Sequence, residues 1–359
     1  MIKQLKHINK KLAPKHFAFG PEWIVLGVNN VCNLHCKMCD VGTQNLDSNF
    51  AQNLVGTSPL NMPLSLVKKV INQTAKYYPN AKLGYAFTEP LVYPQLIESL
   101  AYAQENNIYT TLTTNALTLR QKAIQLSEVG LNELYISLDG PQDIHNEIRG
   151  HKKSFQKAVE GIEALMATGN CPKITVICAI TEWNIGHLKA LIESLKHLEI
   201  SEFAFMHTQF NSQISADIHN ASQWGVHYPS SDSNVDEINF DNMNFDKLLN
   251  DISEIRDANY PFKVFFSPEI NEKEDLETYY LEPEKILGRH CEAVFNSVMI
   301  KSDGSVIPAH GRCYNLTIGN IHTDNLKQVW SSQVLKKLRG DLHEAGGLFQ
   351  GCSRCCSAF

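Results

Sequence analysis

Between Trp23 and His207 the chain alternates two patterns: short runs rich in β-branched and aromatic residues, and longer stretches whose apolar positions recur every three or four residues. The first pattern predicts six strands, at Trp23 to Val28, Lys82 to Phe87, Tyr109 to Thr113, Glu133 to Leu138, Lys173 to Ile180 and Glu202 to Met206. The second predicts the helices between them. Phe155, Ala158, Val159, Ile162 and Leu165 fall on one helical face, as do Leu188, Leu191, Ile192 and Leu195. Repeated strand–helix alternation implies βαβ units on a parallel sheet. Six such units define an α/β fold, a partial (β/α)6 TIM-like barrel, whose chemistry belongs at the C-terminal ends of the strands.

The alternation stops at Thr208. From there to Asn244 the chain is rich in Ser, Asn, Asp and Gln, which reads as a boundary or lid-like insertion. A helix over Phe245 to Ala258, a strand over Phe262 to Phe266 and a charged stretch to Lys285 follow. The last segment, Cys291 to Phe359, carries hairpin chemistry at Ser302-Asp303-Gly304-Ser305 and a helix from Asn325 to Arg339, a small α+β unit. The expected division is therefore 1–20, 21–207, 208–285 and 286–359. The first piece, basic through Lys3, Lys6, Lys10, Lys11 and Lys15, reads as a surface helix rather than a secretory signal.

Charge and composition narrow the partners. At 359 residues and a net charge of −6 the chain lacks the basic footprint of a nucleic-acid binder. It has no apolar run long enough to span a membrane, so the expectation is a cytoplasmic protein acting on a small molecule rather than a peptide. Ten cysteines without a secretory signal read as metal ligands or core residues.

Three of them, Cys32, Cys36 and Cys39, sit directly after the first predicted strand, at the end where a parallel barrel places chemistry. Three thiolates on one loop can each take one iron of a [4Fe–4S] cube, leaving the fourth iron open to an outside molecule. Structural zinc is the alternative, although paired Cys-x2-Cys is its usual spacing. From about Trp23 to His207 the chain resembles the radical S-adenosylmethionine (SAM) superfamily. The resemblance implies that the open iron binds SAM, whose cleavage yields a 5′-deoxyadenosyl radical. It also implies a reducing partner such as flavodoxin or ferredoxin.

Phe87-Thr88-Glu89-Pro90 stands where that family has Gly-Gly-Glu-Pro, which binds the methionyl amino group partly through backbone, and both glycines are replaced. Thr113-Thr114-Asn115 looks like the family's Thr-Asn-Gly segment; its plain alternative is an Asn turn. The run Tyr135 to Pro141 with His145, Ile148, Arg149 and Gly150 is similar to a segment of the peptide- and small-molecule-modifying branch. By that resemblance Glu89, Asn115, Ser137 and Arg149 form the cofactor site, with Ser137 and Arg149 on the SAM carboxylate. For Arg149 the alternative is a surface salt bridge. Asp139 reads as a turn anchor, and no residue is assigned as a catalytic base.

Cys291, Cys313, Cys352 and Cys355 are the remaining candidate ligands, enough to complete a second cube. This region resembles the twitch domain, a shortened SPASM domain, and so implies one auxiliary [4Fe–4S] cluster. Ala309 stands where the SPASM spacing expects a cysteine, Cys356 could replace Cys355, and a four-thiolate zinc site is the alternative. Cys171 and Cys178 read as small core residues. His207, at the end of the sixth strand, reads equally as a substrate contact or as a hydrogen-bonded core histidine; His219, His227 and His310 are assigned no role.

A fully protein-ligated second cluster suits electron transfer. The expected enzyme is a radical SAM oxidoreductase that takes hydrogen from a sugar- or aminosugar-like metabolite, with the auxiliary cluster accepting an electron. A peptide- or protein-modifying radical SAM enzyme is the second reading. A noncatalytic iron–sulfur or zinc-binding scaffold is the third.

Overall fold

Each short β-rich run pairs with the next. β1 (Trp23–Leu26), β2 (Lys82–Tyr85), β3 (Thr110–Thr114), β4 (Glu133–Ser137), β5 (Lys173–Ile180) and β6 (Glu202–His207) lie side by side and parallel in the computed structural model. The model describes residues 2–359; Met1, the first residue of the expected N-terminal piece, lies outside the described residues. Connecting helices cover the outer face. Ala158, Ile162 and Leu165 of the helix Ser154–Met166 are buried against it, as are all four stripe leucines and isoleucine of Leu188–Leu195.

Two findings enlarge the expected six-strand sheet. β7 (Lys263–Ser267) pairs parallel to β6, so the helix Phe245–Asp257 before it is a sixth crossover. The polar stretch before that helix hid the continuing βα rhythm. In addition, β8 (Ser297–Ile300) runs parallel to β1, Trp23 facing Ser297, while β9 (Ser305–Pro308) and β10 (Gly319–Asn320) add antiparallel strands beyond it. The hairpin at Ser302 to Ser305 is present, but it extends the barrel sheet. Among the described residues one ten-stranded sheet results, in the order β10-β9-β8-β1-β2-β3-β4-β5-β6-β7, with β7 and β10 as open ends. The fold is a partial TIM-like α/β barrel with a C-terminal unit attached to its first strand.

The serine- and asparagine-rich stretch is also more ordered than its composition suggests. Ser212 caps a helix over Gln213–Ala221 by accepting the Ser215 N–H. Short polar side chains there serve as local hydrogen-bonding groups rather than as a solvated linker. The expected helix Asn325 to Arg339 divides into Leu326–Trp330 and Gln333–Glu344, because Ser332 between them turns its hydroxyl to the Leu335 N–H and starts a new helix. At the other end Ile2–Leu12 buries none of its side chains, as expected of a surface helix, and is tied down by Lys6–Glu22 and Lys10–Glu292 pairs. Among the described residues no helix is long and apolar enough to cross a membrane.

Candidate metal centres

The loop after β1 brings Cys32, Cys36 and Cys39 to one cavity of about 350 Å³, walled also by Ala86, Phe87, Thr88 and Thr113 from the ends of β2 and β3. Its turns are closely held. The Cys39 N–H donates to the Cys36 carbonyl at 3.2 Å, and the Lys37 N–H to the Ile148 carbonyl at 2.9 Å. A side chain at residue 42 would come within 2.4 Å of the Cys36 carbonyl oxygen, so only glycine fits there. Directly after Cys39, Asp40 is buried and clamps the loop to the polar segment. Its oxygens accept from Ser48 (2.6 Å), Ser233 (2.9 Å) and the Asn234 N–H (2.5 Å). Sequence reasoning missed this clamp. Its signal was a carboxylate beside the last thiol, with serine and asparagine partners almost two hundred residues away.

Arg149 is no surface ion pair. Its Nε lies 2.5 Å from Asp139, whose carboxylate is fully buried, and its Nη1 lies 3.6 Å from Cys36 Sγ. Asp139 also accepts the Ala179 N–H at 3.0 Å, which makes it the anchor its turn chemistry suggested. Ser137 ends β4 half-buried. The Asn115 side chain donates to Asn33 Oδ1 at 2.8 Å, linking the end of β3 to the cysteine loop.

Glu89 departs from the expected direct contact. It is fully buried, and its carboxylate accepts from the Leu91 N–H (2.9 Å), the Thr114 hydroxyl (2.6 Å) and the Asn115 N–H (2.8 Å). Burial raises its pKa while these three donors oppose the rise. Both oxygens are spent on joining the ends of β2 and β3, which leaves Ala86, Phe87 and Thr88 to face the cavity. Phe87, in the place of the first family glycine, holds φ at +82°, the left-handed region that glycine favours.

The donor set fits an iron–sulfur cube. A zinc ion about 2.3 Å from each sulfur would hold them ~3.8 Å apart. Among the described residues only His310, Cys355 and Cys356 form a trio of such donors within 4.8 Å of one another, so Cys32, Cys36 and Cys39 are spaced too widely for a single ion. Burial pushes the Cys36 thiol up to about 12, so three thiolates there call for cationic irons to hold them.

The second set behaves alike. Cys291, Cys313, Cys352 and Cys355 line one cavity with Ala309 and His310, and no three of their sulfurs meet the single-ion spacing. Burial raises Cys291, Cys313 and Cys352, the last to about 11. Cys355 is held well below the usual thiol range by a hydrogen bond from the Cys356 thiol, which is raised in turn. Cys356 faces a different cavity, beside Trp23 and Val25. Cys178 is fully buried in β5, as a core residue should be, whereas Cys171 is half-buried before it.

The remaining histidines divide. His207 is buried rather than at an open mouth, with Nδ1 2.8 Å from the Tyr280 hydroxyl, and burial pushes it down to about 3. His219 is buried with Nε2 2.7 Å from the Tyr228 carbonyl oxygen. Neither lines a cysteine cavity, whereas His310 lines that of the C-terminal set.

Parallel barrel, cysteine loop and C-terminal cysteines together define an α/β barrel that carries two separate sets of candidate iron–sulfur ligands. Residues 27–195 match the radical SAM superfamily and residues 291–356 an iron–sulfur cluster-binding domain of the SPASM type. The chain belongs to the radical SAM superfamily, with an auxiliary SPASM-type domain at its C-terminal end. It accordingly binds SAM and a [4Fe–4S] cluster in the barrel, and an auxiliary iron–sulfur centre in the C-terminal part.

Relatives include the Fe-coproporphyrin III synthase of Methanosarcina barkeri, 26% identical over 51% of this chain and 43% of that protein. The AdoMet-dependent heme synthase of Oleidesulfovibrio alaskensis is 25% identical over 55% and 49%. The chain thus spans about half the length of these curated relatives. Among solved structures, SuiB of Streptococcus suis bound to its precursor peptide SuiA superposes with a TM-score of 0.63 at 18% identity, covering 98% of this chain and 75% of that one. Native anSMEcpe with bound AdoMet gives 0.60 at 18%, covering 88% and 81%. At these identities the likeness establishes the fold.

Proposed function

We propose that this radical SAM enzyme is an oxidoreductase of the dehydrogenase type, acting on a small polar metabolite of the sugar or aminosugar kind. The observation that carries this reading is the convergence of four half-buried cysteines, Cys291, Cys313, Cys352 and Cys355, on one cavity. Four protein thiolates occupy every iron of a cube, so no corner remains for a substrate, and such a centre suits accepting an electron. In the barrel, the cofactors when bound would supply the hydrogen-abstracting radical chemistry.

The chain's own residues hold and orient. Cys32, Cys36 and Cys39 ligate the SAM-binding cluster. Arg149, fixed by Asp139, would hold the SAM carboxylate together with Ser137. Backbone at Phe87 and Thr88 receives the methionyl amino group, while Glu89 and Asn115 order that wall. Residues 21–207 make the radical SAM core, 208–285 a connecting segment that shapes the substrate side, and 286–359 the auxiliary-cluster domain. Flavodoxin or ferredoxin supplies the electron.

A peptide substrate is the second reading, because a solved relative that covers nearly all of this chain holds a precursor peptide. The two separate in one assay. Anaerobically reconstituted enzyme is incubated with SAM, a reductant and panels of aminocyclitols, sugars and peptides, and 5′-deoxyadenosine is quantified. Turnover with the small polar panel is expected. Release with peptides alone would overturn the proposal, and no release with any reductant would favour a noncatalytic scaffold.

A further inference from the structure

We infer that His310 sets the reduction potential of the auxiliary centre by donating a hydrogen bond to the sulfur of Cys355. This rests on the reading of Cys355 as a cluster ligand. His310 follows β9 immediately after Ala309, whose φ of +61° turns the chain back towards the terminal cysteines. Its Nδ1 accepts the Arg312 N–H at 3.2 Å. A neutral imidazole whose Nδ1 accepts carries its proton on Nε2. That Nε2 lies 3.7 Å from Cys355 Sγ, 3.6 Å from Cys356 Sγ and 2.9 Å from Ser357 Oγ.

The tight grouping of His310, Cys355 and Cys356 would also suit one metal ion. A ligating Nε2 must be bare, however, and the Arg312 N–H leaves no place for the displaced proton on Nδ1. The ring is therefore a donor, shared among Ser357 and the two sulfurs. Reduction of a cluster places negative charge on its sulfurs, so an N–H donor favours the reduced state and raises the potential. On its other face His310 stacks on Phe87, with ring centroids 6.3 Å apart and planes at 28°. Phe87 walls the Cys32, Cys36, Cys39 cavity, so His310 occupies the partition between the two centres.

Redox titration of the reconstituted full chain, followed by electron paramagnetic resonance, tests this. In His310→Leu the midpoint potential of the auxiliary signal should fall while the SAM-binding cluster keeps its potential. His310→Gln, which restores an N–H donor, should return it towards the wild-type value. An unchanged or raised midpoint in His310→Leu would overturn the inference, as would loss of one equivalent of zinc or of iron, which would make His310 a ligand. If His310→Leu assembles no auxiliary cluster, Ser357→Ala decides: with the competing hydroxyl gone the Nε2–H turns to the sulfur, so the midpoint must rise, and an unchanged value rejects the idea. Wild-type iron separates this from the underlying reading. About eight irons per chain means two cubes, whereas about four with one zinc removes the auxiliary cluster itself.

Discussion

Phe87 pays a conformational cost that its neighbourhood must offset. A non-glycine residue at positive φ costs on the order of 1 kcal/mol or more, and the ring recovers it by packing against the cluster of Phe50, Leu54, Met299 and Ile307 and by stacking on His310. Shortening the side chain separates the two terms. Phe87→Ala loses the packing and keeps the strain, whereas Phe87→Gly loses the packing and removes it. Denaturant melts should therefore rank Phe87→Gly above Phe87→Ala by about 1 kcal/mol, the reverse of the usual order. Glu89 gives a second test at this scale. Its two oxygens face separate backbone donors, the N–H groups of Leu91 and Asn115. In Glu89→Gln the amide NH₂ must meet one of them, and the loss should be about 1–3 kcal/mol, read from the same melts. Neither feature shows in the residue types alone. The family resemblance pointed to both positions, but only the folded backbone reveals that Phe87 is strained and that the Glu89 carboxylate is enclosed.

The elements were more legible than their neighbours. All six predicted barrel strands formed within a few residues of the expected ends, because parallel strands buried on both faces carry a strong local signal. The seventh strand was seen as a strand but not as part of the barrel, since pairing partners are not written locally. The break at Ser332 was missed because its cap competes with a helical stripe that runs through it. Ser332→Ala should cost about 1 kcal/mol and let the two C-terminal helices merge, which circular dichroism would register as gained helicity. β6 holds a titrating residue as well. His207 is neutral in the fold, depressed to about 3 from 6.5, so the unfolded chain binds the extra proton. Stability from this group is present above pH 6.5 and declines as pH falls towards 3. Between pH 7.5 and 5.5 the loss should be about 1.4 kcal/mol. His207→Gln, which does not titrate, should lose that much less over the same interval in chemical denaturation.

At the scale of the whole molecule, the expected boundary at residue 286 crosses a continuous sheet. β8 is the parallel neighbour of β1, and Ser297 to Ile300 are all buried. Removing everything after residue 285 would leave β1 an open edge directly beside the cysteine loop, with Ile24 and Leu26 losing cover and a row of backbone groups unpaired. It would also strip the Asn53 side chain of its acceptors, the Gly311 and Cys313 carbonyls. The C-terminal unit therefore acts as a structural part of the barrel as well as the carrier of the second cysteine set. Composition and cysteine spacing could locate that set but not this attachment, which depends on which sheet edge the hairpin finds. A chain ending at residue 285 should accordingly be insoluble or unfolded by circular dichroism. A full-length chain with Cys291, Cys313, Cys352 and Cys355 all changed to Ala should instead fold and keep the SAM-binding cluster, about four irons. If the truncated chain folds and binds that cluster as well as the full-length variant does, the two units are independent and the attachment at β1 is incidental.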